Sequence, residues 1–272
     1  MSVFAELWQQ RYGAAPADAP VAGTAVIDQL LAHRSVRAFL PDALPEGTLE
    51  TLVAAAQSAA SSSNLQAWSV VAVQDPARKA RLSEAANGQA HIRQVPLFLV
   101  WVADLSRLDR TAARLGREAG ANRYLEMFLV AAIDAALAAQ NAVVAAESLG
   151  LGTVYIGALR SHAAAVAQEL HLPPNAFPLF GLCVGHPDPA RPAAIKPRLA
   201  QSTVLHRERY ERETEPAAVA AYDELIQDFQ RGQGLPPTAW SQQASQRVAR
   251  PDSLAGRHRL AEVLRAQGFA LE

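Results

Sequence analysis

The chain has 272 residues, half of them hydrophobic and 19% charged, with 25 basic residues against 26 acidic ones and a formal net charge of -1. That apolar content excludes a mainly disordered chain and is enough for a sizeable core in one large domain or two small ones. A lone cysteine, Cys183, excludes an internal disulfide framework, and the even charge balance argues against nucleic-acid binding by bulk charge.

Residues 1–12 predict a short amphipathic helix with Phe4, Leu7 and Trp8 at helical spacing, followed by a linker rich in Ala and Pro at 13–23. The start lacks the basic segment and apolar run of a secretory signal, so the chain reads as cytoplasmic. Thr24 caps a predicted helix through Ile27, Leu30 and Leu31, and residues 33–39 follow as an irregular turn. Pro45 and Glu46 open the next helix, which runs through Leu52 and Ala56 and ends at the polar residues 61–64. Residues 68–74 read as a strand, 75–86 as a helix, and 97–103 as an apolar strand covered on both faces. The charged stretch 105–120 reads as a mobile insertion.

Residues 122–148 predict one long helix ended by Gly150. Its apolar part is long enough to span a bilayer, but Asp134, Gln140, Asn141 and Glu147 interrupt it. A charge near a bilayer centre costs about 2.5–3.5 kcal/mol, so a core or subunit-seam helix is expected and no membrane span. Strands at 153–156 and 178–185 and helices at 163–170, 216–230, 241–248 and 253–267 complete the reading, with a flexible loop from Arg231 to Pro237. Few strands among many helices imply an α+β or α/β domain.

No nucleotide-binding glycine loop, zinc-ligand spacing or hydrolase serine motif is present, so no metal is expected. Cys183, inside an apolar strand, reads as a small buried hydrophobe. Four segments carry candidate chemistry. His33-Arg34-Ser35-Val36-Arg37 packs cations and a hydroxyl into one turn, suited to phosphate oxygens or simply to solvent. Lys196-Pro197-Arg198 holds two cations on a stiffened backbone, and includes one of only two lysines, Lys79 being the other. The two clusters could converge on one dianionic phosphate or be unrelated patches. Ser61-Ser62-Ser63-Asn64-Leu65-Gln66 offers small donors and acceptors for a polar heterocycle or polyol, or is an ordinary helix-ending loop. The glycines of 150–157 allow close backbone approach to a flat ligand, or form a plain helix-to-strand turn.

Taken together, these segments resemble the FMN-dependent nitroreductase family, in its NADPH-dependent, oxygen-insensitive branch of major nitroreductases and flavin reductases. The likeness also includes Gly88-Gln89, the run 139–160, residues 178–185, Lys196-Pro197-Arg198-Leu199 and Ala221-Tyr222-Asp223-Glu224, all in the family's order. It covers residue 25 to the C-terminus, leaving the N-terminal helix and linker (1–23) outside a nitroreductase-like FMN-binding domain at 24–272.

The resemblance implies an α+β fold, a mostly antiparallel sheet flanked by helices, in an intertwined homodimer with FMN at the interface. It implies that His33, Arg34 and Ser35 meet the FMN phosphate and ribityl chain, and that Lys196 and Arg198 complete the phosphate cradle. Arg37 would reach the pyrimidine edge at N1 and O2, and Gln89 would hydrogen-bond that edge. Ser61, Ser62 and Ser63 would reach the flavin from the partner subunit, and Tyr155, Ile156 and Gly157 would lie against its ring. Hydride would pass from NADPH or NADH to flavin N5, and a small-molecule acceptor would then take the electrons in ping-pong turnover. No side chain is assigned as acid or base; Arg37 would tune the flavin. Arg231 matches one NADPH-binding arginine of the branch. Where a second cation is expected the loop has Leu235-Pro236-Pro237, which admits NADH. The implied acceptors are nitroaromatics, quinones or flavins. A specialised chromate, azo or dehalogenating reductase is the alternative, and a non-catalytic flavin-binding protein a more distant one.

Overall fold

The computed structural model describes residues 2–14 and 23–272. In chain order the helices are α1 (Val3–Tyr12), α2 (Ala25–Leu31), α3 (Thr48–Gln57), α4 (Pro76–Ala85), α5 (Ala90–Gln94), α6 (Ser106–Arg114), α7 (Leu125–Ser148), α8 (Ala163–Glu169), α9 (Glu215–Gly232), α10 (Trp240–Val248) and α11 (Leu260–Ala266). The strands are β1 (Trp68–Val73), β2 (Leu97–Asp104), β3 (Gly152–Ile156) and β4 (Ala176–Gly185). The chain divides into two compact units, one of Met1–Arg34 with Ala194–Leu254, the other of Ser35–Ala193 with Ala255–Glu272.

The second unit contains the sheet, ordered β1-β2-β4-β3 with every pair antiparallel, as an α+β fold requires. All eight residues of β2 are buried, which is why its sequence is a continuous apolar run. On one face Phe98, Val100 and Cys183 pack with Val36, Phe39, Leu82 and Ile156. On the other, Leu97, Leu99, Trp101, Leu182 and Val184 meet Leu52 and Ala56 of α3 and a row of alanines on α7. Those alanines, at 138, 139, 142 and 146, have no bulk to hold the helix away from the sheet.

Among the described residues α7 is the one helix long and apolar enough to cross a membrane. Its sheet-facing side is buried, while Leu125, Leu129, Ile133 and Leu137 form an exposed stripe at four-residue spacing. It ends where Gly150 turns left-handed at φ 75° and the Leu151 N–H returns to the Ala146 carbonyl at 3.0 Å.

In the first unit α1 is capped by Ser2 and Gly13, and Phe4, Trp8 and Tyr12 stack along one side with ring centroids 5.6 and 4.8 Å apart. The Thr24 hydroxyl accepts from the Ile27 N–H, the cap expected for α2. Of the expected linker at 13–23, residues 15–22 lie outside the described residues.

Several expectations need correction. Residues 105–120 contain α6, where a mobile insertion was expected. Buried Leu105 begins it, and Asp109 accepts from Asn122 and Asn175 at 2.7 and 2.8 Å. The helix expected from Pro45 starts at Thr48, because Gly47 at φ 78° breaks the helical path, and it ends at Gln57 before the serines. The helix expected over 122–148 is preceded by a 3₁₀ turn (Gly120–Arg123), and the one at 253–267 is reduced to α11 after two such turns.

Candidate active site

In the first unit the cationic turns are assembled around Arg11, only 6% exposed, in the last turn of α1. Its Nη1 donates to the Lys196 carbonyl at 2.8 Å, and its Nη2 donates to the carbonyls of Leu31 and His33 at 2.6 and 2.7 Å. In return the Arg198 N–H donates to the Arg11 carbonyl at 2.8 Å. From α9 the Tyr222 hydroxyl donates to the Pro197 carbonyl at 2.9 Å. Burial raises the Tyr222 pKa, while the Arg198 and Arg11 charges oppose that rise. Pro197 is thus buried and tied down while Lys196 and Arg198 stay exposed. Arg34, also exposed, leans on the Ala32 carbonyl at 3.2 Å. His33, Arg34, Lys196 and Arg198 therefore share one unit, and the residue that draws the turns together, Arg11, was not singled out from the sequence. Its partner Lys196 is 185 positions away, so no local pattern marks it.

In the second unit Ser35 forms a parallel bridge with Thr153, and the Val36 N–H donates to the Thr153 carbonyl at 2.8 Å. This close approach explains Gly152: a Cβ there would stand 2.8 Å from the Val36 side chain. Gly150 thus caps α7 and Gly152 admits the Val36 side chain. Arg37 is exposed beyond this bridge. Its charge reaches His91 on α5, whose pKa is lowered by burial first and Arg37 second. The His91 Nε2 is buried without a hydrogen bond. Gln89 precedes α5 after two left-handed residues, Asn87 and Gly88, and its carbonyl accepts from the Ser83 hydroxyl at 2.9 Å.

On β3, Tyr155 is 38% exposed, packs edge-on against Phe180, and donates from its hydroxyl to Gln140 at 3.4 Å. Ile156 turns its side chain into the core, so only its backbone can meet a ligand. At Gly157 a Cβ would lie 3.3 Å from the Arg160 guanidinium, which occupies the space a side chain would take.

The serine loop is built on Asp134 of α7, 2% exposed. Its carboxylate accepts from the Ser61 hydroxyl at 2.6 Å and from the N–H groups of Ser62 and Ala67, each at 3.1 Å. The Ser61 hydroxyl also accepts from the Gln66 N–H at 2.7 Å. So anchored, the loop holds Ser63, Asn64 and Gln66 at φ 46°, 55° and 50° and presents Ser62 and Ser63 to solvent. Left-handed backbone costs a non-glycine residue roughly 1–2 kcal/mol, and such strain gathers at functional sites. The sequence showed Asp134 only as an interruption of an apolar helix.

Arg231, at the end of α9, is exposed and ion-paired with Asp228 one turn earlier. Lys79 is buried with its ammonium on the Val95 carbonyl at 2.6 Å, so Lys196 is the lysine available to the candidate site. Cys183 is buried and its thiol pKa is pushed up by desolvation, as a core residue's would be.

A nitroreductase family model matches residues 30–186, and a model of the family's C-terminal domain matches residues 196–272. An FMN reductase (NADPH) of Bacillus subtilis (strain 168) is 40% identical over 80% of this chain and 88% of its own length. An FMN reductase [NAD(P)H] of the same organism is 40% identical over 91% of this chain and 98% of its own. Among solved structures, B. megaterium NfrA2 superposes with a TM-score of 0.86 at 38% identity, over 92% of this chain and all of that one.

Proposed function

The chain belongs to the nitroreductase family, and from that premise we propose an oxidoreductase that carries electrons from NAD(P)H through FMN to nitroaromatics, quinones or flavins. The observation that carries this reading is the joining, through Arg11, of the backbone turns that carry His33 and Arg34 with the one that carries Lys196 and Arg198, whose exposed arginines and lysine suit a phosphate. The other donors fit the rest of FMN: Ser35, Arg37 and Gln89 suit the polyol and the pyrimidine edge, and Ser62 and Ser63 are exposed hydroxyls.

FMN supplies the redox chemistry when bound, accepting and returning a hydride. The chain binds and orients. Arg34, Lys196 and Arg198 offer charge-assisted hydrogen bonds to the phosphate. Arg37 offers a cation to the pyrimidine edge, where it stabilises negative charge. Tyr155 and the Ile156–Gly157 backbone supply a flat support. We assign residues 24–272 to the FMN-binding domain, and the acceptor to a small molecule rather than a nucleic acid or a membrane lipid, in a cytoplasmic homodimer. The exposed stripe Leu125, Leu129, Ile133 and Leu137 supports a second copy as the partner.

The purified protein should be yellow, anaerobic NADH or NADPH should bleach it, and a nitroaromatic should restore the colour. A yellow protein that does not bleach leaves only a flavin-binding role. A colourless one that ignores added FMN removes the flavin reading. Because Arg231 is paired with Asp228 and Leu235-Pro236-Pro237 follows, kcat/KM for NADH and NADPH should agree within about tenfold, or 1.4 kcal/mol. A hundredfold preference for NADPH would contradict this.

A further inference from the structure

Arg11 lies outside both ranges that the family models match. Yet its guanidinium joins the two cationic turns. It donates to the carbonyls of Leu31 and His33 on one turn and of Lys196 on the other, and its own carbonyl accepts from Arg198. A planar guanidinium suits this work because its donors diverge at fixed angles, so one side chain can bind acceptors from separate segments. An ammonium on a flexible stem holds no such spacing.

The helix carrying Arg11 is itself fixed. Gly13 caps it at φ 74°, and a Cβ there would stand 2.8 Å from Leu225 of α9. The same α9 holds the Pro197 carbonyl through Tyr222. The Lys196–Arg198 turn is thus gripped by α1 through Arg11 and by α9 through Tyr222.

We propose that Arg11 is a positioning residue for the cofactor's phosphate, which makes the N-terminal helix a working part of the FMN site. Arg11 fixes the carbonyls beside His33 and Lys196 and so sets the spacing of the cationic side chains. This inference rests on the FMN reading above. Because Arg11 acts at the phosphate end, its loss should weaken FMN and spare riboflavin, which has the same ring and polyol but no phosphate.

The test uses the full chain, freed of flavin and titrated with FMN and with riboflavin by fluorescence quenching, for the parent and for Arg11→Gln and Arg11→Lys. In Arg11→Gln the FMN Kd should rise about tenfold while the riboflavin Kd stays within about twofold. Arg11→Lys keeps the charge but not the fork, and should also lose FMN affinity several-fold; if Arg11→Gln does not fold, this variant decides. Unchanged FMN binding in Arg11→Lys overturns positioning, since charge alone would then suffice. An equal loss of both ligands in a folded variant overturns action through the phosphate. A parent that prefers FMN no more than riboflavin overturns the phosphate site, and one that binds neither overturns the FMN reading, taking this inference with it.

Discussion

Two buried charges organise two regions of this molecule, and they do so with opposite polarity. In the first unit Arg11 collects carbonyl oxygens from the turns around His33 and Lys196. In the second, Asp134 collects a hydroxyl and two amide N–H groups from the serine loop. Each anchor matches the backbone groups its segment leaves over, because buried main-chain polar groups must find partners. The anchors also set different surfaces. Around Arg11 the exposed side chains are cations, Arg34, Lys196 and Arg198, the set proposed above for the phosphate. The donors bound by Asp134 leave exposed hydroxyls and amides, a place for neutral hydrogen bonding.

Asp134→Ala tests the second anchor and should have the largest effect. Three donors lose their acceptor at a buried site, so urea unfolding should show a loss of about 3 kcal/mol. A loss below about 1 kcal/mol would mean that the loop holds itself.

Arg198→Ala tests the first region from its exposed side. FMN binding should weaken by about 1.5–3 kcal/mol, as for a hydrogen bond to a charged group, with the unfolding midpoint near the parent's. An unchanged FMN Kd would take Arg198 out of the site. The two variants together should separate an anchor, which governs folding, from a presented charge, which governs binding.

A smaller effect is expected at His91, whose pKa is held below its ordinary 6.5 by burial and Arg37. Above 6.5 both folded and unfolded chains carry it neutral. As pH falls from there toward the lowered folded value, the unfolded chain takes the proton first and stability drops. His91→Gln should flatten stability against pH across that interval, and an equally steep profile would assign the slope to another group. The smallest effect belongs to the strained loop: Ser63→Gly relieves a φ of 46° and should stabilise the fold by about 0.5–1 kcal/mol in thermal unfolding. Destabilisation would show that the Ser63 side chain itself holds the loop.

Much of the fold is legible in the sequence because it rests on local patterns. The apolar run of β2 announces a central strand, Thr24 and Asp75 cap the helices they precede, and Gly150 ends α7. Helix α6 is hidden because its charged residues mask Leu105, Leu108 and Ala112, which turn inward from a mostly polar segment. The candidate site divides the same way. The residues that would face a ligand stand in recognisable clusters, whereas Arg11 and Asp134 meet partners far along the chain and look unremarkable among their neighbours. Gly152 is instructive for another reason: its signal is real, but the close neighbour it admits is Val36.

The separation of 185 positions between Arg11 and Lys196 also bears on how the protein is made. At about 5–20 residues per second, translation delivers Lys196 some 10–40 s after Arg11 leaves the ribosome's active centre. Throughout that interval the guanidinium cannot make its contact with the Lys196 carbonyl. The two turns are joined only when nearly three-quarters of the chain exists, so on the FMN reading proposed above the phosphate cradle is a late product of synthesis.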